Sequence, residues 1–180
     1  LDDGPYLFDP IQDAPGQFRS YHTHMEEYPI VPVERPERKT AKLMMFFRRN
    51  ERIGQDEFQT QLLGRYSELT AQLLGLAGYT VNFRDNDIDA AITDFYPADS
   101  WGFTDAGRRH RQAFFSLWDG ASELHFDSID AFAHARRSST HHAQLCQMEK
   151  NLFSSVWYVE VDENLIVMPN RDPAPEFYFR

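Results

Sequence analysis

Glu123 and His125 stand two residues apart in the stretch 122–126 (Ser-Glu-Leu-His-Phe). On a β-strand that spacing puts both side chains on one face. A carboxylate and an imidazole so placed can share a proton, and the imidazole is poised to act as acid or base near neutral pH. Two opposite consequences follow from register. If Leu124 and Phe126 pack on helices, Glu123 and His125 face the other side of the sheet; in the reversed register they face the helices and any pocket there. Tyr66 and Tyr79 add phenol groups that can polarise a carbonyl or hold an enolate, or serve as buried structural hydrogen-bond donors.

Three other groupings carry weaker chemistry. His22, His24 and Glu26 share one face of an extended segment and match the donor types of a divalent metal site. Pro29 close by favours a frayed edge strand instead, so no metal is expected. Arg108, Arg109 and Arg111 can match an anionic substrate or form a solvated loop. His141 and His142 are adjacent, would point about 100° apart on a helix, and cannot chelate together. Cys146, the only cysteine, can form no intrachain disulfide and has no second thiol with which to hold zinc. No phosphate loop, nucleophile elbow or dinucleotide fingerprint is present, so no cofactor is expected.

Composition narrows the partners. A net charge of -10 is opposite to what neutralising a phosphate backbone requires, which argues against nucleic acid. No apolar run approaches the ~20 residues that span a bilayer. A soluble protein of a reducing compartment is expected, with a cytoplasmic location. At 180 residues the chain can bury roughly 70% of its unfolded surface without staples. Aromatic residues make up 14% of it, enough for an aromatic-rich core or for a pocket lined with rings.

The elements that must position these groups read in a definite order. Six prolines in the first forty residues make residues 1–40 an extended lead-in, with strand character only over 21–33 and confined there to a sheet edge. Residues 42–48 (Lys-Leu-Met-Met-Phe-Phe-Arg) form an apolar run of strand length. A helix follows from Gln55 or Asp56, with Phe58, Leu62, Leu69, Leu73 and Leu76 as its buried stripe, and ends near Gly75 and Gly78. Residues 79–84 alternate as a half-buried strand. Residues 85–111 read as a long loop and lid candidate with a helical piece near 88–95. A third strand covers 122–126, a helix capped by Asp127 or Ser128 follows, helix resumes over 145–152, and 155–161 is the last strand.

Strand one with its helix, Gly75-Leu76-Ala77-Gly78-Tyr79, and Asp119-Gly120-Ala121-Ser122-Glu123-Leu124-His125-Phe126-Asp127 together resemble the EthD branch of the dimeric α+β barrel superfamily, over about residues 42–167. The resemblance implies an α+β, ferredoxin-like βαββαβ domain over residues 41–170, a four-stranded antiparallel sheet with helices on one face, and a C-terminal tail over 171–180. It also implies a homodimer or tandem pseudo-dimer and an apolar or aromatic small-molecule partner. Such relatives carry out cofactor-free decarboxylation, isomerisation or cyclisation, or bind a ligand without turnover. The family tends to place a His near the end of helix one, where this chain has Tyr66. Tyr66, Tyr79 and His125 are therefore the expected catalytic residues, provided that all three point toward the helices.

Overall fold

The computed structural model describes residues 25–33, 40–84 and 103–162. Strands β1 (Met25–Val31), β2 (Ala41–Arg49), β3 (Gly78–Arg84), β4 (Gly120–Phe126) and β5 (Phe153–Val161) form one sheet in the order β1-β3-β4-β2-β5. β2 pairs antiparallel with both β4 and β5. The protein is thus an α+β domain in which β1, carrying Pro29, lies at a sheet edge, where proline is tolerated.

Helix α1 (Gln55–Gln61) has Asp56 and Glu57 in its first turn, where carboxylates complement the helix dipole. It passes into a π-helical turn, Leu62–Tyr66, kinked at Gly64, and then into the short α2 (Ser67–Ala71). Tyr66, at the end of this turn, is buried. Gly75 closes the connection at φ 81°, a left-handed backbone that a residue with Cβ adopts only at a cost. Helix α4 (Ile129–Ser138) begins where the Ser128 hydroxyl accepts from the Ala131 N–H, and α5 (His142–Leu152) follows it.

All of these helices pack on one side of the sheet. Phe47 meets Phe58 of α1, Phe126 meets Phe132 of α4, and the Tyr66 hydroxyl reaches Met45. Leu43, Met45 and Phe47 of β2, with Leu124 and Phe126 of β4 and Tyr79 and Val81 of β3, form the core on that side. Gly120 leaves room for it: a Cβ there would strike the Asn82 carbonyl oxygen and the Phe47 ring.

The chain divides into two compact units, one of residues 1–26 and 83–119 and one of 27–82 and 120–180. The first contains α3 (Asp105–Phe115), which corrects the loop expected over 85–111 in its described part, 103–111. Thr104 caps it by accepting from the Gly107 N–H, and Arg108 pairs with Asp105 one turn away. In the same unit the Arg84 guanidinium lies over the Phe115 and Trp118 rings and donates to the Trp118 carbonyl. The helical piece expected near 88–95, the pair His22 and His24, and the tail over 171–180 lie outside the described residues.

Candidate functional site

Strand alternation divides the site residues between two faces. Leu124 lies opposite Leu43 and Phe126 opposite Ala41 in the β2–β4 register, with Leu43, Leu124 and Phe126 all buried on the helix side. Glu123 and His125 therefore face away from the helices. Tyr66 and Tyr79 point toward them. The structure brings the two tyrosines to one side of the sheet and places His125 on the other, so the condition under which the three would flank one pocket is not met.

On the helix side the phenols are engaged with protein partners. The Tyr66 hydroxyl donates to Glu149 Oε1 at 2.9 Å, and Arg136 Nη2 donates to the same oxygen at 2.7 Å. Burial first, and the Glu149 charge second, hold the Tyr66 phenol well above its ordinary range. The Tyr79 hydroxyl is 3.2 Å from the Ser67 hydroxyl, which donates to the Leu62 carbonyl at 2.7 Å inside the π-helical turn. Burial pushes Tyr79 up to about 12, against a lowering by the Ser67 hydrogen bond. Both phenols stay protonated at neutral pH. They are hydrogen-bonding groups of the core.

The opposite face is chemically different. Lys42 of β2 forms an ion pair with Glu123 Oε2, and Asn82 Nδ2 of β3 donates to Glu123 Oε1 at 3.5 Å. The Lys42 and Glu123 side chains are only 17% and 25% exposed. His125, in register with Lys42, is 1% exposed, and Thr80 and Asn82 of β3 are buried. Four polar side chains, Lys42, Asn82, Glu123 and His125, thus share one patch of a sheet face.

The same face turns apolar toward the β5 edge. The Phe46 and Trp157 rings stack at 5.5 Å between centroids with planes 10° apart, and Met44 lies opposite Val159 in the next pair. Trp157 and Val159 remain exposed. This face is thus apolar at Met44, Phe46, Trp157 and Val159 of β2 and β5, and polar and largely buried at Thr80, Asn82, Glu123 and His125 of β3 and β4. Sequence reading named Glu123 and His125 but missed Lys42 and Asn82. Their parity on β2 and β3 was the available signal, since each alternates with residues of the apolar core.

Among the described residues no group of three or more His, Cys, Asp or Glu side chains could hold a metal ion, and no helix is long and apolar enough to cross a membrane. No family model matches the chain, and no curated protein is similar to it.

Proposed function

We propose that this chain binds an apolar or aromatic small molecule against the sheet face opposite its helices and acts on it by cofactor-free acid-base chemistry. The observation that supports this reading is the meeting of two surfaces on that face. One is the stacked Phe46 and Trp157 pair with Met44, and the other is the Lys42, Asn82, Glu123 and His125 patch. Small-molecule sites combine a mostly apolar lining with a few placed polar groups. Here the rings would take the hydrocarbon part of the ligand. Glu123 or His125 would remove a proton from an activated carbon, and the Lys42 ammonium would stabilise the negative charge that develops. Decarboxylation, isomerisation and cyclisation all fit this division of labour.

The order of four of the strands supports the ferredoxin-like part of the proposal. Numbering β2, β3, β4 and β5 as one to four gives the order 2-3-1-4 across the sheet, which read from the other edge is the 4-1-3-2 of a βαββαβ unit, with β1 added beside β3. The EthD resemblance, a homodimer and a cytoplasmic location belong to the same proposal. A second copy would most simply approach the apolar β5 edge, where Trp157, Tyr158 and Val159 are exposed.

A ligand-binding protein without turnover is the second reading, favoured by one feature: both Glu123 oxygens already have protein partners. A panel of aromatic acids and cyclic ketones, screened first by thermal shift and then for conversion, separates the two. The catalytic reading expects at least one compound to be converted, with Glu123→Gln and His125→Gln each slowing turnover by ~10²-fold or more while leaving binding within a few-fold. Glu123 is 25% exposed at the patch, so its substitution remains informative even where the buried His125 does not tolerate change. Compounds that bind and are never converted support the second reading.

A further inference from the structure

We infer that β5 is the docking strand for a second copy of this chain, the two β5 strands pairing antiparallel about a two-fold axis at Tyr158 so that two sheets become one. This mode of docking rests on the homodimer proposed above and is independent of the ligand.

Among the described residues the sheet ends at β1 on one side and at β5 on the other, and the two edges differ in composition. β1 carries Pro29 with Glu26 and Glu27, residues that discourage the addition of another strand. β5 is far less protected. Its nine residues (Phe-Ser-Ser-Val-Trp-Tyr-Val-Glu-Val) include no Pro, Lys or Arg and a single charge, Glu160. Trp157, Tyr158 and Val159 are exposed in succession, so apolar surface is open on both faces of the strand. Trp157 stacks on Phe46 on the outer face, while Tyr158 meets the Phe132 ring on the helix side. A partner lying on either face covers only half of this surface. A strand added along the edge covers all of it.

A second copy is the occupant because the β5 sequence complements itself. A two-fold axis perpendicular to the sheet makes the strands antiparallel and keeps like faces together, so residues equally far from the axis on either side meet. With Tyr158 on the axis, Trp157 lies opposite the partner's Val159 on the outer face, and Glu160 lies opposite the partner's Val156. Each copy thus sets an aromatic ring against a β-branched chain, a favourable cross-strand pair, and no two charges meet. An axis at Trp157 leaves Val159 opposite the partner's Ser155. Axes at Val159 or Glu160 set the Glu160 carboxylate against the partner's Tyr158 or against its own copy. In the β2–β5 register, Phe46, Trp157, the partner's Val159 and the partner's Met44 then form one row on the outer face. The partner therefore extends the apolar floor of the proposed site.

Sedimentation of the parent chain at micromolar concentration is expected to show a dimer. Tyr158→Lys sets two ammonium groups opposite each other and should raise the dissociation constant by at least tenfold with unchanged helix and strand content, whereas Tyr158→Phe should keep the dimer. Oxidative crosslinking reads the register. Cys146 is the only thiol, so in Cys146→Ser chains an added Tyr158→Cys faces its own copy at about 4.5–5.5 Å between Cα atoms, within disulfide reach, and should crosslink. Val156→Cys should not, because its copy lies four strand positions away, roughly 13 Å. A monomeric parent chain overturns the proposal, and ligand binding by that monomer would leave the ligand reading intact. A dimer that survives Tyr158→Lys, or that crosslinks through Val156→Cys, also overturns it by placing the copy on another surface. A dimer with the expected crosslink that binds no ligand upholds the docking and counts against the ligand reading alone.

Discussion

The Tyr66 hydroxyl and the Glu149 carboxylate, 83 residues apart in the chain, meet at 2.9 Å and tie the π-helical turn to α5. Arg136 of α4 donates to the same carboxylate oxygen, so a single acceptor joins three helical segments. Charge-assisted bonds of this kind are stronger than neutral ones, and their loss leaves donors stranded. Replacing Glu149 with Ala removes the acceptor from a phenol that is 3% exposed and a guanidinium that is 15% exposed. The expected loss is about 2–4 kcal/mol in urea unfolding, against about 1 kcal/mol for Tyr66→Phe, which removes one donor and strands no charge. Equal losses in the two variants would contradict the shared-acceptor account.

Gly120 is required by packing across β4. Its missing Cβ is the space occupied by the Phe47 ring and the Asn82 carbonyl oxygen. Gly120→Ala is expected to destabilise by about 1–3 kcal/mol, as overpacking of a well-filled interior does. Adding Phe47→Leu, which shortens the opposing side chain, should recover part of that loss. A thermal melt of the parent and the two variants decides it, and a Gly120→Ala protein as stable as the parent would mean that β4 shifts freely against β2.

Alkaline pH offers a separate check on the buried phenols. Tyr79 titrates at about 12 in the folded chain against an ordinary 10.0, and Tyr66 is raised as well. The folded chain therefore holds both protons more tightly than the unfolded chain. Their contribution is complete below the unfolded value of 10.0 and disappears as pH rises from there through about 12 for Tyr79. Two pH units correspond to about 2–3 kcal/mol lost for one phenol. Stability followed by urea unfolding should fall steeply across this range, and less steeply in Tyr79→Phe. Identical curves would show that Tyr79 titrates normally and lies nearer water than the structure places it.

The strands were legible in the sequence because apolar and polar side chains alternate in 79–84 and an apolar run of strand length ends at charged residues after 42–48. Asp127 and Ser128 together announced α4, with Ser128 the cap in the structure, and Pro29 marked an edge. What stayed hidden depended on distance or on competing local signals. Arg108, Arg109 and Arg111 drew attention as a basic loop, although Thr104 and Asp105 ahead of them carry the chemistry of a helix start. The π-helical turn has no sequence signature of its own, and nothing local ties Tyr66 to Glu149, 83 residues away. Glu123 and His125 were recognised as a pair with either face open to them. Only the pairing of Leu124 with Leu43 fixes that choice.

Met44 and Met45 give the most direct test of the proposed site, since adjacent residues of β2 point to opposite faces of the sheet. Met44 lies opposite Glu123 on the polar face, and Met45 contacts the Tyr66 hydroxyl on the helix side. Methionine-methyl and tryptophan-indole NMR signals, assigned by substitution, can be followed while the chain is titrated with aromatic carboxylic acids and cyclic ketones. The account predicts that ligands shift the Met44 methyl and the Trp157 indole together and leave the Met45 methyl in place. Movement of Met45 with Met44 and Trp157 unchanged would put the ligand among the helices beside Tyr66, and the assignment of Glu123, His125 and Lys42 as its site would be contradicted.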